Sequence, residues 1–218
     1  MSEVCVLVLA KAPVPGRVKT RLCPQATPEQ AAAIAAAALL DTLDAVRASG
    51  ARGLLALSGA PGEAVRAGEL AEALRTVTVF GQRGTGLAER IAHAHADAAE
   101  LVPGAPVLQI GMDTPQVSPA LLAVSGARLY REPAVLGPAD DGGWWALGLR
   151  DPLHAKAITG VPMSTPDTCT ETRAALRESG VTPGELPALS DVDTMAEARA
   201  VAALIPRSRF AAVLRALR

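Results

Sequence analysis

Short aliphatic runs alternate along this chain with longer segments that are rich in alanine and leucine. The short runs are continuously apolar, which is typical of strands that are covered on both faces of a sheet. Strands that alternate with helices favour a doubly wound α/β fold with a mostly parallel sheet. The predicted strands are Val4–Ala10, Gly53–Ser58, Thr76–Phe80, Val107–Gly111, Ala134–Gly137 and Trp144–Gly148.

Helix signals lie between these strands. Thr27 precedes Pro28, and Gln30 completes a capping box, so we expect a helix from this point to about Ala48, just before Gly50. The other predicted helices open at Ser118-Pro119 and Asp151-Pro152, cover Thr85–Glu100 and Asp167–Ser179, and run from about Met195 to a break at Pro206.

The last two predicted strands interrupt the parallel pattern. Only Pro138–Gly143 separates Ala134–Gly137 from Trp144–Gly148, whereas a parallel crossover needs about a dozen residues or more. We therefore expect a hairpin-like or otherwise irregular pair here, which makes the sheet mixed. No internal repeat, low-complexity linker or block of charge divides the sequence, so we predict one domain over residues 1–218.

Composition narrows the classes of function. A net charge of −1 over 218 residues gives no electrostatic support for binding to nucleic acid or to an anionic membrane. No apolar run reaches the ~20 residues that a membrane-spanning helix needs. The cysteines, Cys5, Cys23 and Cys169, are odd in number and far apart. This spacing favours free thiols and a cytoplasmic protein.

The loop after the first strand carries the strongest candidate chemistry, because ligands of open α/β sheets bind beyond the carboxyl ends of the strands. This loop contains Lys11, Arg17, Lys19 and Arg21, with Gly16 as its flexible point. Cations on a loop of restricted conformation suit a diphosphate or triphosphate, so we predict phosphate binding. The alternative is a solvated basic loop. The loop is not a Walker A motif, since that motif needs an earlier glycine.

Two later loops add weaker signals. Gly84 and Gly86, next to Gln82, permit the backbone to approach a ligand closely, although a flexible turn with a helix cap explains them equally well. Asp113 follows a strand of the buried type and faces the cations of the first loop across the same sheet edge. A carboxylate there suits Mg²⁺ or Mn²⁺ held between protein and phosphates. The alternative is an aspartate in a turn before Pro115.

The most unusual stretch begins with the adjacent carboxylates Asp140 and Asp141 and ends with both tryptophans of the chain, Trp144 and Trp145. Carboxylates beside aromatic side chains suit sugar hydroxyls and a shared cation, while the alternative is a turn with both tryptophans in the core. We expect one tryptophan to be buried and one to be functional. The segment Asp191–Thr194 either caps a helix or brings a late carboxylate to the site, and we favour the cap.

Four segments together resemble a known family. They are Ala10–Leu22, Gly111–Pro115, Gly137–Gly143 and Asp191–Thr194, and in this order they are similar to the bacterial glycosyltransferase-like family related to phospholactate guanylyltransferases. The resemblance implies the nucleotide-diphospho-sugar transferase fold, called GT-A. This fold is a Rossmann-like, three-layer α/β/α arrangement with a mixed, mostly parallel sheet, and it binds an activated nucleotide with a divalent metal.

The resemblance also implies roles for the donor side of the site. Phosphates would meet Arg17, Lys19 and Arg21, and the base or ribose would lie near Gln82 and the Gly84–Gly86 turn. Asp113 would correspond to the aspartate that binds Mg²⁺ or Mn²⁺.

On the acceptor side, the resemblance implies that Asp140 and Asp141 face the acceptor or the transferred group. Either is the candidate catalytic base, with Trp144 and Gly142 near the sugar. We therefore expect a metal-dependent transferase that acts on a nucleotide-activated donor and a small-molecule acceptor. Glycosyl transfer from a nucleotide sugar is favoured. The alternatives are nucleotidyl transfer with release of pyrophosphate, and a nucleotide-binding module without catalysis.

Overall fold

The computed structural model describes residues 3–23 and 25–217, and within them seven strands form one sheet in the order β3-β2-β1-β4-β6-β5-β7. The strands are β1 Cys5–Lys11, β2 Arg52–Ser58, β3 Thr78–Gly81, β4 Val107–Gly111, β5 Ala134–Pro138, β6 Trp144–Leu149 and β7 Pro183–Glu185. The α-helices are α1 Pro28–Ala48, α2 Ala67–Leu74, α3 Leu87–Leu101, α4 Pro119–Arg128, α5 Thr168–Glu178, α6 Met195–Leu204 and α7 Arg209–Ala216.

Helices cover both faces of this sheet. The apolar residues of α1, α2 and α4 pack on one face, and those of α3 and α5 pack on the other. Strands β1 to β4 pair in parallel, whereas β6 pairs antiparallel with both β4 and β5. The predicted α/β fold with a mixed, mostly parallel sheet is therefore confirmed.

The antiparallel pair β5–β6 has the short connection that the sequence indicated. Its register shifts between Gly137 and Pro138, and the indole of Trp145 packs directly over Gly137. A Cβ atom at Gly137 would lie 2.4 Å from the indole Nε1. Trp145 is buried, and its Nε1 donates to the carbonyl of Pro187 at 2.9 Å. The absence of a side chain at Gly137 therefore leaves the space that the Trp145 indole occupies at the end of β5.

Several predicted boundaries were wrong. Helix α3 begins at Leu87 instead of Thr85, because the Thr85 amide and hydroxyl both donate to Glu89 Oε2. The segment Pro152–Ile158 is a 3-10 helix whose first turn is capped by the preceding aspartate. Helix α2 and the edge strand β7 were not predicted, since β7 has only three residues and is defined by its pairing with β5.

The last two helices pack against α1 and form a second core. Phe210 lies at its centre and is fully buried. Asp41 on α1 accepts hydrogen bonds from the amides of Arg209 and Phe210, at 3.3 and 2.9 Å. Before α6 begins, the Val192 amide donates to the carbonyl of Asp113 at 3.0 Å. The end of the chain is thereby held beside the loop that follows β4.

Candidate active site

A cavity of about 530 Å³ opens at the carboxyl ends of the central strands. Its charged lining comes from the basic loop after β1, from an arginine on α3, and from aspartates after β4, after β5 and before α6. The lining side chains that bear on function are Lys11, Arg17, Lys19, Arg21, Gln82, Arg90, Gln109, Asp113, Asp141, Trp144, Asp191 and Asp193.

Lys19 lies at the centre of the polar part of this cavity. Its backbone is left-handed, with φ of 48°, and its side chain is only 10% exposed. The Nζ atom lies 2.8 Å from Asp113 Oδ1 and 3.1 Å from Asp193 Oδ1, and it donates to the carbonyl of Val192. Burial opposes the charged form, but these carboxylates outweigh it and raise the pKa of Lys19. Lys19 therefore acts as a counter-ion within the protein.

The other cations of the loop are more exposed. Arg21 Nη1 lies 2.7 Å from Asp193 Oδ2, and Arg17 Nη1 lies 3.4 Å from Glu63 Oε2, both with guanidinium groups that are largely solvent-accessible. Lys11 is exposed at the end of β1. These three side chains can turn towards an anionic ligand at little cost, since exposed ion pairs contribute little stability.

Four aspartates meet in the cavity, and Asp191 is the most perturbed of them. Burial raises its pKa to about 7, and the negative charges of Asp113 and Asp141 act in the same direction. Asp193 is also partly desolvated, but the ammonium of Lys19 and the guanidinium of Arg21 hold its pKa below the usual range. Asp191 therefore keeps its proton to a higher pH than an ordinary carboxyl does.

Asp191 is a site residue that the sequence analysis did not assign. The favoured role of its segment, a helix cap, is filled by Thr194, whose side chain accepts from the Glu197 amide while Glu197 accepts from the Thr194 amide. The same segment also delivers Asp191 and Asp193 to the cavity. The sequence did contain a usable signal for Asp191. It lies two residues before Asp193, and alternate residues of an extended segment face the same side.

The donor set fits a divalent cation that is shared with phosphates. Within residues 3–23 and 25–217, no three His, Cys, Asp or Glu side chains are placed to hold a metal ion by themselves. Mg²⁺ commonly takes one or two carboxylates and completes its shell with substrate phosphates and water. Asp113 and Asp191 supply two such carboxylates in the cavity lining, and a bound cation would favour the ionised form of Asp191, whose pKa is raised mainly by burial.

Only some of the predicted site residues in the loop between β5 and β6 line the cavity. Asp141 and Trp144 line it. Asp141 Oδ1 accepts from the Gly143 amide at 2.8 Å, and Trp144 Nε1 donates to Thr172 Oγ1 at 3.1 Å. Both side chains are held in place by these bonds.

Asp140 and Gly142 lie outside the lining of the cavity. The carboxylate of Asp140 accepts from the hydroxyl of Ser190. Gly142 has φ of 88°, and a Cβ there would stand 2.0 Å from the carbonyl oxygen of Pro166. These contacts indicate that Asp140 and Gly142 help to fix the conformation of the loop.

On the opposite side, Gln82 lines the cavity while its Nε2 donates to the carbonyls of Ala10 and Ala56 at 2.8 and 2.9 Å. The predicted glycines Gly16, Gly84 and Gly86 are exposed and do not line the cavity. Their positions fit turns: Gly16 has φ of 73° and Gly84 has φ of 117°.

Two further lining residues were missed. Arg90 lies on the first turn of α3, and its Nε donates to the carbonyl of Gly84 at 3.1 Å. Gln109 lies in the middle of β4, where it is the one polar residue in an apolar strand. That break in the apolar pattern was a usable signal for Gln109, whereas Arg90 carried none, since arginine is common on exposed helix turns.

The fold and the loops together define the nucleotide-diphospho-sugar transferase class of fold. The structure of a candidate nucleotide-diphospho-sugar transferase from Desulfovibrio desulfuricans G20 is similar over 100% of this chain and 97% of its own, with a TM-score of 0.87 and 27% identity. Residues 39–165 match the family model described as an uncharacterized protein conserved in bacteria (DUF2064). The chain belongs to this family.

More distant structures share the fold. Rv0371c from Mycobacterium tuberculosis H37Rv, in complex with manganese, has a TM-score of 0.53 and 21% identity over 92% of this chain and 98% of its own. CMP:2-keto-3-deoxy-manno-octonic acid synthetase, in complex with CTP, has a TM-score of 0.56 and 12% identity over 94% and 99% of the two chains.

No curated protein matches the sequence. Across the part of the chain that the structure describes, no helix has the length and apolar character to span a membrane.

Proposed function

We propose that this protein is a transferase that moves a glycosyl group from a nucleotide sugar to a small-molecule acceptor, with the help of a divalent cation. One observation carries the proposal: a basic loop and a cluster of aspartates face each other in a single cavity at the carboxyl edge of the sheet. The transferase class is further supported by the 27% identical protein from Desulfovibrio desulfuricans G20, which is described as a candidate nucleotide-diphospho-sugar transferase.

The donor diphosphate would lie between the two charged groups. Lys11, Arg17 and Arg21 would contact its oxygens, since their side chains are accessible and arginine suits bidentate contacts with phosphate. Asp113 and Asp191 would hold Mg²⁺ or Mn²⁺ together with the phosphates. A bound divalent cation offsets the charge that develops on the leaving nucleoside diphosphate.

Lys19 has a positioning role in this proposal. Its ammonium joins Asp113 to Asp193, and so it fixes the direction of the Asp113 carboxylate relative to the basic loop. This differs from the phosphate contact that the resemblance implied, because the three oxygen partners of Nζ leave it little capacity for a ligand.

Asp141 is the candidate base. Its carboxylate lines the cavity next to Trp144, and it would accept the proton of the acceptor hydroxyl as that oxygen attacks the sugar and the nucleoside diphosphate leaves. Nucleotidyl transfer is the second candidate, because the same phosphate and metal groups would serve an acceptor phosphate that attacks the α-phosphorus and releases pyrophosphate.

Two broader proposals accompany this one. We propose that residues 1–218 act as one domain, because a single sheet contributes to three of the core clusters. We also propose a cytoplasmic location, which the free thiols of Cys5, Cys23 and Cys169 support.

The test is a thermal-shift panel of nucleoside triphosphates, nucleoside diphosphates and nucleotide sugars, with and without Mg²⁺ or Mn²⁺. A ligand at 100-fold over its dissociation constant adds ~2.7 kcal/mol to the free energy of unfolding. We expect a metal-dependent shift that Asp113→Ala abolishes and that Asp167→Ala, a change at an exposed aspartate outside the cavity lining, leaves intact.

The products then separate the candidates. Release of a nucleoside diphosphate supports glycosyl transfer, and release of pyrophosphate supports nucleotidyl transfer. Binding of nucleotide without any turnover across an acceptor panel supports a binding module. No shift with any nucleotide would overturn the proposal.

A further inference from the structure

The cavity has a distinct end on the side of β2 and β3. In the sheet, β1 separates these two strands from β4, so the loops that follow them lie across β1 from Asp113. The residues that line this nucleoside end of the cavity are Ser58, Gln82, Leu87 and Arg90. In the proposed function the diphosphate lies between the basic loop and the aspartates, which leaves this end for the nucleoside of the donor.

The side-chain amide of Gln82 has a fixed orientation at this end. Its Nε2 donates to the carbonyls of Ala10 on β1 and Ala56 on β2, at 2.8 and 2.9 Å. The nitrogen must face these two oxygens, because a carbonyl cannot donate, and both N–H groups of the amide are then used. The backbone amide of Gln82 is also held, by the carbonyl of Leu57 at 3.2 Å. The side chain therefore has no N–H group left for a ligand.

The Oε1 atom of Gln82 is the part of the amide that stays available. It accepts no hydrogen bond from the residues that the structure describes, and it is not one of their buried unpaired atoms. The residue is half-buried and lines the cavity. Gln82 thus offers a ligand an accessible acceptor and no donor.

The neighbours of Gln82 at the start of α3 suit a flat, polar ring. Leu87 lines the cavity while 44% exposed, so its side chain can cover the face of a ring. Arg90 donates from Nε to the carbonyl of Gly84 at 3.1 Å. Its two Nη groups have no partner within residues 3–23 and 25–217 and are not buried. They can donate to an oxygen on the edge of the same ring.

We propose that Gln82 selects the base of the donor nucleotide, and that it selects a base with a ring N–H group, namely uracil or guanine. The ring N–H would donate to Gln82 Oε1, and the adjacent carbonyl oxygen of the base would accept from Arg90. This inference rests on the proposed function and names the class of its donor.

Cytosine and adenine fit this arrangement less well. At the same ring position they carry a nitrogen that accepts, and its lone pair would face the lone pairs of Gln82 Oε1. A glutamine binds adenine well when both halves of its amide take part. Gln82 cannot bind in that way, because Ala10 and Ala56 already occupy its donor half.

The test is isothermal titration calorimetry of the 218-residue chain with UDP, GDP, CDP and ADP in the presence of Mn²⁺. We expect UDP or GDP to bind about tenfold or more tightly than both CDP and ADP, because only their ring N–H pairs with the fixed acceptor. N3-methyl-UDP and N1-methyl-GDP lack that N–H group. The methylated form of the preferred nucleotide should therefore lose its advantage.

The variant Gln82→Met separates base selection from a structural role. Methionine has a similar length but no amide, so the preferred nucleotide should bind only as tightly as CDP, while the affinity for CDP stays as in the wild type. A purely structural role would weaken all four nucleotides alike. Gln116→Met is the matched control, since Gln116 Nε2 also donates to a backbone carbonyl, that of Ser190, outside the cavity lining. It should leave the ratio of affinities unchanged.

Equal affinities for the four nucleotides would overturn this inference and leave the proposed transferase standing. Tighter binding of CDP or ADP would do the same, and so would methylation without effect, which tests the contact even if Gln82→Met does not fold. If none of the four binds, both this inference and the proposed function are wrong. Base selection that depends on Gln82, in a protein that transfers no group to any acceptor, would support this inference and contradict only the proposed function.

Discussion

The chemistry of the cavity depends on how charge is balanced around single side chains. The Lys19 ammonium forms ion pairs with both Asp113 and Asp193, and Arg21 adds a second contact to Asp193. Asp191 forms no ion pair with a cation within the described residues, and burial, followed by the charges of Asp113 and Asp141, favours its protonated form. The protonation of Asp191 therefore depends first on its burial and then on the charges of the neighbouring carboxylates.

The substitution Asp191→Asn tests this imbalance. The pKa of Asp191 in the folded protein is about 7, above the ~3.9 of an unfolded chain, so the folded state binds the extra proton between these values. The stability that this proton gives to the folded state is then lost as pH rises from about 4 to 7. Asparagine carries no charge, so we expect the variant to be more stable than the wild type by about 4 kcal/mol at pH 8, and by less than half of that at pH 5.

Urea unfolding between pH 5 and pH 8 measures this difference, with Asp167→Asn as the control at an exposed aspartate. A stability difference that stays constant across that range would mean that Asp191 does not titrate in it.

At the scale of elements, the start of α6 connects helix capping to the site. Glu197 Oε2 accepts from the Thr194 amide at 2.7 Å and from the Asp193 amide at 2.9 Å. The Thr194 side chain completes the capping box by accepting from the Glu197 amide. The cap therefore sets the direction in which the Asp193 carboxylate leaves the backbone, towards Lys19.

We expect Thr194→Ala to lower the free energy of unfolding by about 1 kcal/mol, as the loss of a cap usually does, and also to weaken metal-dependent nucleotide binding. Thr27→Ala removes the equivalent capping box at the start of α1. It should cost a similar amount of stability without changing ligand affinity. Urea unfolding and nucleotide titration of both variants check this, and equal ligand affinities would show that the α6 cap does not influence the site.

At the scale of the whole molecule, the last two helices pack beside the first helix and the basic loop. Helices α6 and α7 pack on α1 around Phe210, and the chain just before α6 reaches Lys19 over a sequence separation of more than 170 residues. The second core and the site therefore depend on the same docking of the last helices.

We expect Phe210→Ala to destabilise the protein by about 3–5 kcal/mol, because it leaves a large cavity in that core. Leu204→Ala is the control, since Leu204 is 71% exposed, and it should change stability by less than about 0.5 kcal/mol. Denaturant unfolding of both variants measures the two values. Similar values would mean that the second core contributes little to the fold.

The sequence by itself determined the features that depend on local physics. Continuous apolar runs predicted the strands, the capping box at Thr27 predicted α1, and the short link Pro138–Gly143 predicted the antiparallel pair. The cations of the first loop and Asp113 could be placed at one sheet edge, because the carboxyl ends of parallel strands share an edge.

Only the tertiary structure decided what these side chains face. Whether Lys19 meets a phosphate or Asp113, whether Asp191 is solvated or buried, and whether Gln109 has a partner all depend on residues far away in the sequence. Desolvation and charge interactions depend on distances in space, and residue spacing does not supply those distances for segments that meet only after folding.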